Sequence, residues 1–235
     1  MDMINEIPVV ILCGGKGERL YPLTIDIPKP LIEIKGKPIL GYIIEHLKKY
    51  HVHNLIITAG YKAEKIEEYF DNNQRDLKVQ IVNSGDVDII KRIQDAGKYI
   101  KSDFLVLYGD TLSDVNINEL IKFHRTNNQN VTMTAWPLVS QFGLVEITPE
   151  GKVTSFKEKP ILDKWINIGY FYFRQKTFDF FNKFNCFQDF LYFVAEKGEL
   201  NAYRHRGFHI TVNTLKELEE AEENLKEIVK DNNDE

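Results

Sequence analysis

The sequence predicts an α/β fold with a doubly wound, mostly parallel mixed sheet and a small antiparallel portion. First, several short runs, such as residues 9–12 and 104–108, are apolar throughout, which is typical of strands buried on both faces. Second, these runs alternate with amphipathic stretches of helical period, as in βαβ units. Third, glycines or a Gly-Asp pair follow the ends of the runs, where ligands bind in such sheets. Together these observations predict a Rossmann-like architecture.

The elements are expected in the following order along the chain. Strands are expected at residues 9–12, 54–59, 77–82, 104–108 and 131–136, alternating with helices at residues 39–50, 62–70, 89–100 and 117–124. Residues 143–156 alternate and are rich in turn formers, which predicts an antiparallel portion at one edge of the sheet. Residues 178–193 are rich in phenylalanine, which favours core over the alternative, an interface. A final amphipathic helix carries Leu215, Leu218, Ala221, Leu225 and Ile228.

Composition and charge exclude several classes of protein. With 30 Lys and Arg against 35 Asp and Glu, the net charge is -5, so a nucleic-acid surface is not expected and any phosphate must be bound locally. No apolar run approaches the length of a membrane span, and the acidic first eight residues are unlike a signal peptide. The two cysteines, Cys13 and Cys186, do not make a disulfide framework, which favours a cytoplasmic location.

The stretch after the first strand has the chemistry of a phosphate-binding loop. Three glycines and a lysine occupy residues 14–17, and Arg19 follows closely. Glycines let backbone amides approach an anion, and nearby cations add to the attraction. Lys29 stands between two prolines that restrict its backbone. We therefore expect a polyphosphate between this loop and Lys29. For the glycines alone, a structural turn is an equal alternative, because their spacing matches neither the Walker pattern nor Gly-x-Gly-x-x-Gly.

Two further landmarks follow along the chain. Asp110 comes after Gly109 at the end of the fourth apolar run. A carboxylate at the tip of a buried strand is well placed to hold Mg²⁺, which takes one or two carboxylates plus phosphate oxygens and waters. A helix N-cap or a turn is the alternative for an isolated Gly-Asp pair. The other landmark is the charged string at residues 156–160, for which a solvated turn is the alternative.

These strings together resemble the sugar-1-phosphate nucleotidyltransferase family. The match consists of Gly-Gly-x-Gly-x-Arg-Leu at residues 14–20, Pro-Lys-Pro at 28–30, Gly-Asp at 109–110, Phe-x-Glu-Lys-Pro at 156–160 and Asn-x-Gly at 167–169. Further strings at residues 108–124, 165–171 and 202–208 are similar to the glucose-1-phosphate cytidylyltransferase branch. The resemblance implies one domain over residues 1–235, with a nucleotide-binding half to about residue 125, a sugar-phosphate-binding half over about 126–212 and a C-terminal helix over 213–230.

The resemblance also implies an activity and a set of residue roles. The activity is a Mg²⁺-dependent transfer of a nucleotidyl group from a nucleoside triphosphate to a sugar 1-phosphate with release of pyrophosphate, and CTP and glucose 1-phosphate are the favoured substrates. The implied roles are catalytic for Arg19, Lys29 and Asp110; nucleotide-binding for Leu12, Gly14, Gly15, Gly17, Ser84 and Gly85; sugar-phosphate-binding for Glu158, Lys159, Asn167 and Gly169; and metal-binding for Asp110 and Asn213.

Two departures from the family's pattern leave alternatives open. Residues 83–92 lack the double glycine of the family's second glycine-rich loop, so thymidylyl, uridylyl or guanylyl transfer, or transfer to a non-sugar phosphate, remain alternatives. Asn213 stands where the family has its second metal-binding aspartate; an amide oxygen can bind Mg²⁺ but supplies no charge. A weakly active regulatory subunit that binds nucleotide or sugar phosphate is therefore the rival hypothesis. A homo-oligomer is left open.

Overall fold

The computed structural model describes residues 7–73 and 76–229, with side chains described to residue 224 apart from residue 73. Its strands are β1 (Val9–Cys13), β2 (Glu33–Ile34), β3 (Lys37–Pro38), β4 (Asn54–Ala59), β5 (Lys78–Asn83), β6 (Phe104–Tyr108), β7 (Thr111–Ser113), β8 (Val131–Val139), β9 (Leu144–Ile147), β10 (Val153–Lys157), β11 (Ile161–Phe173), β12 (Leu200–Arg204) and β13 (His209–Thr211). Its helices are α1 (Ile39–Lys49), α2 (Ala63–Asn73), α3 (Ile89–Ala96), α4 (Ile117–Thr126), α5 (Phe178–Phe181), α6 (Phe187–Glu196) and α7 (Leu215–Val229). The predicted apolar positions Leu225 and Ile228 lie outside the described side chains.

The central sheet has the predicted doubly wound, mostly parallel character. Within the described residues it contains seven strands in the order β12-β8-β11-β6-β1-β4-β5. β1 is parallel to β4 and β6, β4 is parallel to β5, and β12 is parallel to β8. β11 runs antiparallel between β6 and β8, which makes the sheet mixed. β9 and β10 form a separate antiparallel hairpin, and β7 pairs with β13.

Helices cover both faces of this sheet, which explains why its strands are apolar throughout. In β1, Val9 and Ile11 belong to one core cluster with α1, α2 and α4, whereas Val10 belongs to the other with α3, α5 and α6. All three side chains are fully buried. Alternate side chains of a strand point to opposite faces, so each strand supplies both cores. A fully buried aliphatic side chain of this kind stabilises the fold by roughly 1.5–3 kcal/mol.

The phenylalanine-rich stretch contributes to the core, as its composition favours. Phe181 and Phe190 are fully buried, and Phe187 is nearly so. The rings of Phe181 and Phe190 lie 4.8 Å apart between centroids, within the cluster that packs against α3.

The helix expected at residues 89–100 is shorter in the structure. α3 ends at Ala96, and a 3₁₀ turn, Gly97–Tyr99, follows it. Glycine is a poor helix former, and Gly97 packs so closely on Phe178 that a Cβ atom would lie 2.7 Å from that ring. Glycine is therefore required at the point where the helix ends.

The C-terminal helix begins two residues later than expected, because Asn213 and Thr214 form its cap. The Glu217 carboxylate accepts the backbone N–H of Asn213 at 2.9 Å, and the Thr214 hydroxyl accepts the backbone N–H of Glu217 at 3.3 Å. This arrangement is a variant of the capping box, because Glu217 accepts from the residue before the N-cap Thr214 rather than from the N-cap itself. It also fixes Asn213 at the edge of the candidate site. Among the described helices, none has the length and apolar character needed to cross a membrane.

Candidate active site

The glycine-rich loop after β1 is held by a buried arginine on α3. Arg92 donates hydrogen bonds to the backbone carbonyl oxygens of Gly14 and Ala59, each at 3.1 Å. Arg92 is only 5% exposed, and burial lowers the pKa of its guanidinium. A Cβ atom at Gly14 would lie 1.6 Å from Nη1 of Arg92, so a side chain there would displace the guanidinium from these carbonyl groups. The loop conformation therefore depends on α3 as well as on its own glycines.

The far end of the loop packs on the residue that faces it. Gly17 has a left-handed backbone with φ of 65°, and a Cβ atom there would lie 3.0 Å from the Cβ atom of Lys29. A 3₁₀ turn, Glu18–Leu20, follows at once and carries Arg19. Lys29 begins another 3₁₀ turn directly after Pro28. The glycine-rich loop and Lys29 thus face each other, and the flanking prolines restrict the backbone of Lys29.

Four of the predicted site residues meet at one point. The Lys29 ammonium donates to the Asp110 carboxylate and to Oδ1 of Asn213, the latter at 2.9 Å. Arg19 donates to the same Asn213 oxygen at 2.9 Å. Lys29 is 8% exposed although it is charged, so Asp110 rather than water balances its charge. The structure therefore brings Arg19, Lys29, Asp110 and Asn213 together, whereas their roles stay predictions.

Asp110 is presented by the close approach of β6 to β1. The backbone N–H of Gly109 donates to the carbonyl oxygen of Leu12 at 3.1 Å, and a Cβ atom at Gly109 would lie 2.7 Å from that oxygen. The Thr111 hydroxyl donates to Oδ1 of Asp110 at 3.2 Å, while Lys29 binds Oδ2. These two contacts therefore fix the orientation of the Asp110 carboxylate.

Three cavities meet at Asp110, which lines all of them. The first, named the α3 cleft, has about 380 Å³ and is lined by residues that include Leu12, Gly14, Ile89, Arg92 and Tyr108. The second, named the loop cleft, has about 480 Å³ and is lined by residues that include Gly15, Gly17, Arg19, Lys29 and Asn213. The third, named the sheet-edge cavity, has about 640 Å³ and is lined by residues that include Tyr108, Trp136, Asn167, His209 and Glu217.

The cavities differ in chemistry. The loop cleft is lined by three cationic side chains, which suit a polyphosphate, and by three carboxylates: Lys16, Arg19 and Lys29 with Glu18, Asp86 and Asp110. The sheet-edge cavity is lined by aromatic rings, amides, hydroxyls and carboxylates, and its described lining residues include no Lys or Arg. That mixture of donors and acceptors suits a polyhydroxylated ligand. The site can therefore hold a polyphosphate and a polyol on two sides of one carboxylate.

The sequence matches a family whose chemistry agrees with this geometry. The model described as "Nucleotidyl transferase" matches residues 8–197, which is more than half of the chain. The chain belongs to this family. Nucleotidyl transferases of this family generally use a divalent metal.

Named relatives are similar over most of the nucleotidyl transferase chain. The "Probable glucose-1-phosphate cytidylyltransferase" of Bacillus subtilis (strain 168) is 38% identical, with 90% of this chain and 93% of the relative covered. The glucose-1-phosphate cytidylyltransferase of Salmonella typhimurium is 34% identical, with 88% and 91% covered. The crystal structure of HddC from Yersinia pseudotuberculosis has a TM-score of 0.73 at 27% identity, with 94% of this chain and 100% of that chain covered. The predicted family and fold are therefore confirmed.

The donor set at Asp110 fits a hard divalent cation with few protein ligands. Within residues 7–73 and 76–229, no group of three or more His, Cys, Asp or Glu side chains could hold a metal ion. Asp110 offers a carboxylate and Asn213 an amide oxygen, and both contact Lys29. A cation such as Mg²⁺ takes one or two such oxygens and completes its shell with substrate phosphates and water.

Two predicted residues of this nucleotidyl transferase lie away from the meeting point. Glu158 and Lys159 are exposed and line none of the three cavities. A Cβ atom at Gly143 would come within 2.8 Å of the Glu158 carboxylate. Gly143 is two residues from Gln141, which lines the sheet-edge cavity. Glu158 therefore lies near the mouth of that cavity rather than inside it.

Of the remaining predicted residues, some line a cavity and others do not. Leu12 lines the α3 cleft, Gly15 lines the α3 and loop clefts, and Asn167 lines the sheet-edge cavity. Ser84 and Gly85, which follow β5, line none of the three. The loop that follows β5 therefore lines the cavities only through residues that come after Gly85.

Tyr108 is a site residue that the motifs do not identify. It lines both the α3 cleft and the sheet-edge cavity, so its ring lies between them. Gly169, whose φ is 78°, leaves room for that ring, because a Cβ atom there would lie 2.4 Å from it. Burial raises the pKa of Tyr108 to about 12, and a hydrogen bond with Asn167 opposes this shift. The sequence signals for Tyr108 are its place before the Gly-Asp pair and at the start of the string at residues 108–124, and neither assigns it a role.

Arg92 and His209 were also not identified as site residues. Arg92 lies on an amphipathic helix, where an arginine is typical of the solvated face, so nothing in the sequence signalled its burial. His209 lines the sheet-edge cavity beside Trp136, with 5.4 Å between ring centroids. Burial lowers the pKa of His209 to about 4, so its ring is neutral at pH 7.

Proposed function

We propose that this protein joins a nucleoside triphosphate to a sugar 1-phosphate and releases pyrophosphate, with CTP and glucose 1-phosphate as the preferred substrates. The observation that carries the proposal is the meeting of Arg19, Lys29, Asp110 and Asn213 where the loop cleft adjoins the polar sheet-edge cavity. The names of the two cytidylyltransferase relatives support the choice of base and sugar. We expect a cytoplasmic location, because Cys13 and Cys186 are both free.

The chemistry is an in-line displacement at the α-phosphorus. An oxygen of the sugar phosphate forms the new P–O bond, and the bond from the α-phosphorus to the bridging oxygen of pyrophosphate breaks. The attacking phosphate is already ionised at pH 7, so no general base is required. Catalysis therefore rests on positioning and on stabilising the charge that develops on the phosphate oxygens.

The nucleotide is assigned to the α3 and loop clefts. Backbone amides of Gly14, Gly15 and Gly17 bind the triphosphate, and Arg19 stabilises the leaving pyrophosphate. Lys29 stabilises the charge on the α-phosphate, which it can do without reorganisation because its backbone and its partners already fix its position.

Asp110 and Asn213 would hold Mg²⁺. When bound, the ion supplies positive charge to the phosphate oxygens. Asn213 contributes an oxygen without a charge, so we expect weak metal binding from the protein itself and a larger share from the nucleotide phosphates.

The sugar phosphate is assigned to the sheet-edge cavity. Asn167 presents an amide there, and Tyr108 separates the sugar from the base. Glu158 and Lys159 are proposed as ligands at the mouth, since Glu158 lies against Gly143 beside the cavity. Lysine suits a phosphate as a compact point charge, and glutamate suits two neighbouring hydroxyls.

A regulatory subunit with little activity is the second candidate. Asn213 favours it, because replacement of a metal-binding carboxylate by an amide weakens a Mg²⁺ site. Against it, the cations Arg19 and Lys29 lie at the site together with Asp110.

Pyrophosphate release tests the proposal. The protein is incubated with Mg²⁺, one of CTP, UTP, dTTP and GTP, and one of a panel of sugar 1-phosphates, with each substrate omitted in turn as a control. We expect release that requires both substrates and is fastest with CTP and glucose 1-phosphate. Absence of release with every pair, while nucleotide binding is retained, would favour the regulatory subunit.

A further inference from the structure

The α3 cleft has the size and the walls of a site for a planar base. Its volume of about 380 Å³ lies within the roughly 300–1,000 Å³ that is typical of ligand pockets. Three apolar side chains on its lining, Leu12, Ile89 and Tyr108, pack against the core beside α3 and are only partly buried. A flat heterocycle can pack on such side chains, and the ring of Tyr108 offers it an aromatic surface.

Most of the charged side chains that line this cleft are already engaged. The Arg92 guanidinium is bound to two backbone carbonyl oxygens. Lys29 is bound to Asp110, at the point assigned to the phosphates. Asp86 pairs with Lys16 of the glycine-rich loop at 2.6 Å, and its side chain is 75% exposed. None of these groups is therefore placed to read the edge of a base.

Asp88 is the remaining charged side chain among the described lining residues, and two backbone groups hold it in place. Its Oδ1 atom accepts the N–H of Ile90 at 2.9 Å, which caps α3, and the N–H of Phe187 at 3.0 Å, where α6 begins. Its Oδ2 atom has no hydrogen-bond partner in the part of the chain that the structure describes. Burial is the main cause that raises the pKa of Tyr108 to about 12, and the charges of Asp110 and Asp88 add to this shift. The Asp88 carboxylate therefore lies near the ring that lines the cleft.

A free carboxylate oxygen in this cleft distinguishes the pyrimidine bases. An ionised carboxylate only accepts hydrogen bonds. Cytosine carries an amino group at position 4, whereas uracil and thymine carry a carbonyl oxygen there. The amino group donates to a carboxylate, as acidic side chains and cytosine do in nucleic-acid recognition, and the carbonyl oxygen is repelled. Among the pyrimidines, the carboxylate therefore favours cytosine.

We propose that Asp88 determines the choice of pyrimidine base, because its Oδ2 atom accepts a hydrogen bond from the amino group of cytosine. This inference rests on the proposed function, which assigns the nucleotide to the α3 and loop clefts. The two backbone contacts of Oδ1 fix the acceptor before the base arrives, so little conformational freedom is lost on binding. CTP gains a charge-assisted hydrogen bond, whereas UTP and dTTP place a carbonyl oxygen against the carboxylate.

The test compares Asp88→Asn with the wild type. Asparagine is as good an N-cap as aspartate, so the variant keeps α3. Only its amide oxygen can accept the two backbone N–H groups, so its NH₂ group takes the place of Oδ2 and donates where the wild type accepts. Asp86→Asn is the matched control, because it removes the same charge from the same cleft. For each protein, kcat/KM for CTP and UTP is measured with glucose 1-phosphate, and the dissociation constants of both nucleotides are measured separately.

We expect the wild type to prefer CTP and Asp88→Asn to lower the ratio of CTP to UTP by about 10- to 100-fold, both in kcat/KM and in affinity, as loss of a hydrogen bond to a charged group implies. Asp86→Asn should keep the wild-type ratio. Asp88→Ser, which retains a capping oxygen and has no atom at the position of Oδ2, should lie between the wild type and Asp88→Asn.

Three results would overturn the role of Asp88. They are a wild type that binds UTP as tightly as CTP, an unchanged ratio in Asp88→Asn, and an equal loss of affinity for both nucleotides, which a purely capping residue would cause. If no pyrophosphate is released with any pair of substrates, the proposed function fails. The dissociation constants of CTP and UTP then decide on Asp88 by themselves.

Discussion

Replacement of Lys29 by alanine should separate catalysis from stability. Lys29 donates charge-assisted hydrogen bonds to Asp110 and Asn213, and each such bond contributes about 1.5–3 kcal/mol where it is shielded from water. The Asp110 side chain is 25% exposed, so water compensates part of the loss. We therefore expect Lys29→Ala to lower the free energy of unfolding by about 2 kcal/mol, or the Tm by roughly 4–8 °C. The variant should remain folded.

The effect on turnover should be larger. A fixed donor that stabilises charge in the transition state is worth about 10²–10³ in rate, or ~2.7–4 kcal/mol. Pyrophosphate release at saturating substrates gives this number, and thermal unfolding gives the stability. Lys91→Ala is the matched control, because Lys91 is about half exposed and pairs with Asp95 on the surface of α3. It should change neither quantity measurably, since exposed pairs contribute ~0.3–0.5 kcal/mol. Turnover of Lys29→Ala within about threefold of the wild type would refute the role of Lys29.

Four further predictions concern single side chains. Asp110→Asn should lose about 10²–10³ in turnover while its thermal unfolding remains cooperative, and retained turnover would remove Asp110 from the catalytic group. Asn213→Asp should lower the Mg²⁺ concentration for half-maximal pyrophosphate release by about tenfold; an unchanged titration would count against Asn213 as a ligand. Arg92→Met should raise the KM for the nucleotide and cost about 2–4 kcal/mol of stability, measured by urea unfolding, because two backbone carbonyl groups lose a buried donor. Burial lowers the pKa of His46 from its ordinary value of about 6.5 to about 4, so the unfolded chain takes up a proton first as the pH falls. The stability from neutral His46 is thus present above pH ~6.5 and lost towards pH ~4. The fall in the free energy of unfolding between about pH 7.5 and about pH 5, measured with urea, should be about 1–2 kcal/mol smaller in His46→Gln than in the wild type, because His124 and His209, whose pKa values burial also lowers to about 4, contribute in both. An equal fall in the two proteins would contradict the burial of this ring.

Much of the fold could be predicted because its strands carry their own signal. Val9, Val10 and Ile11 are apolar on both sides of the strand, and only a sheet covered by helices on both faces buries all three. Helix ends were harder to predict. The early end of α3 depends on the contact of Gly97 with Phe178, which is distant in sequence and leaves no local pattern.

The sequence predicts which residues form the candidate site but not which of them contact one another. The motifs identified Arg19, Lys29, Asp110 and Asn213, yet nothing in the sequence indicated that one Asn213 oxygen would accept from both cations. A buried arginine such as Arg92 looks like a surface residue in a helical pattern, because the pattern records polarity and not the carbonyl groups that the side chain reaches.

The hairpin shows a different limit of sequence reasoning. Alternation at residues 143–156 predicts one apolar face, and the structure has that face on β9 and β10. A period of two residues does not say what covers the face. Within the described chain Val145 and Phe156 remain 48% and 65% exposed, which the alternation alone does not predict.

The most direct test of the proposed reaction follows the oxygen atoms of the sugar phosphate. Glucose 1-phosphate labelled with oxygen-18 in its phosphate is incubated with CTP, Mg²⁺ and the protein. The products are then separated, and the oxygen-18 content of each is measured by mass spectrometry. If the sugar phosphate attacks the α-phosphorus at the site formed by Lys29 and Asp110, all of the label is in the nucleotide sugar and none is in pyrophosphate. Label in pyrophosphate, or no nucleotide sugar from any triphosphate, would contradict the proposed reaction.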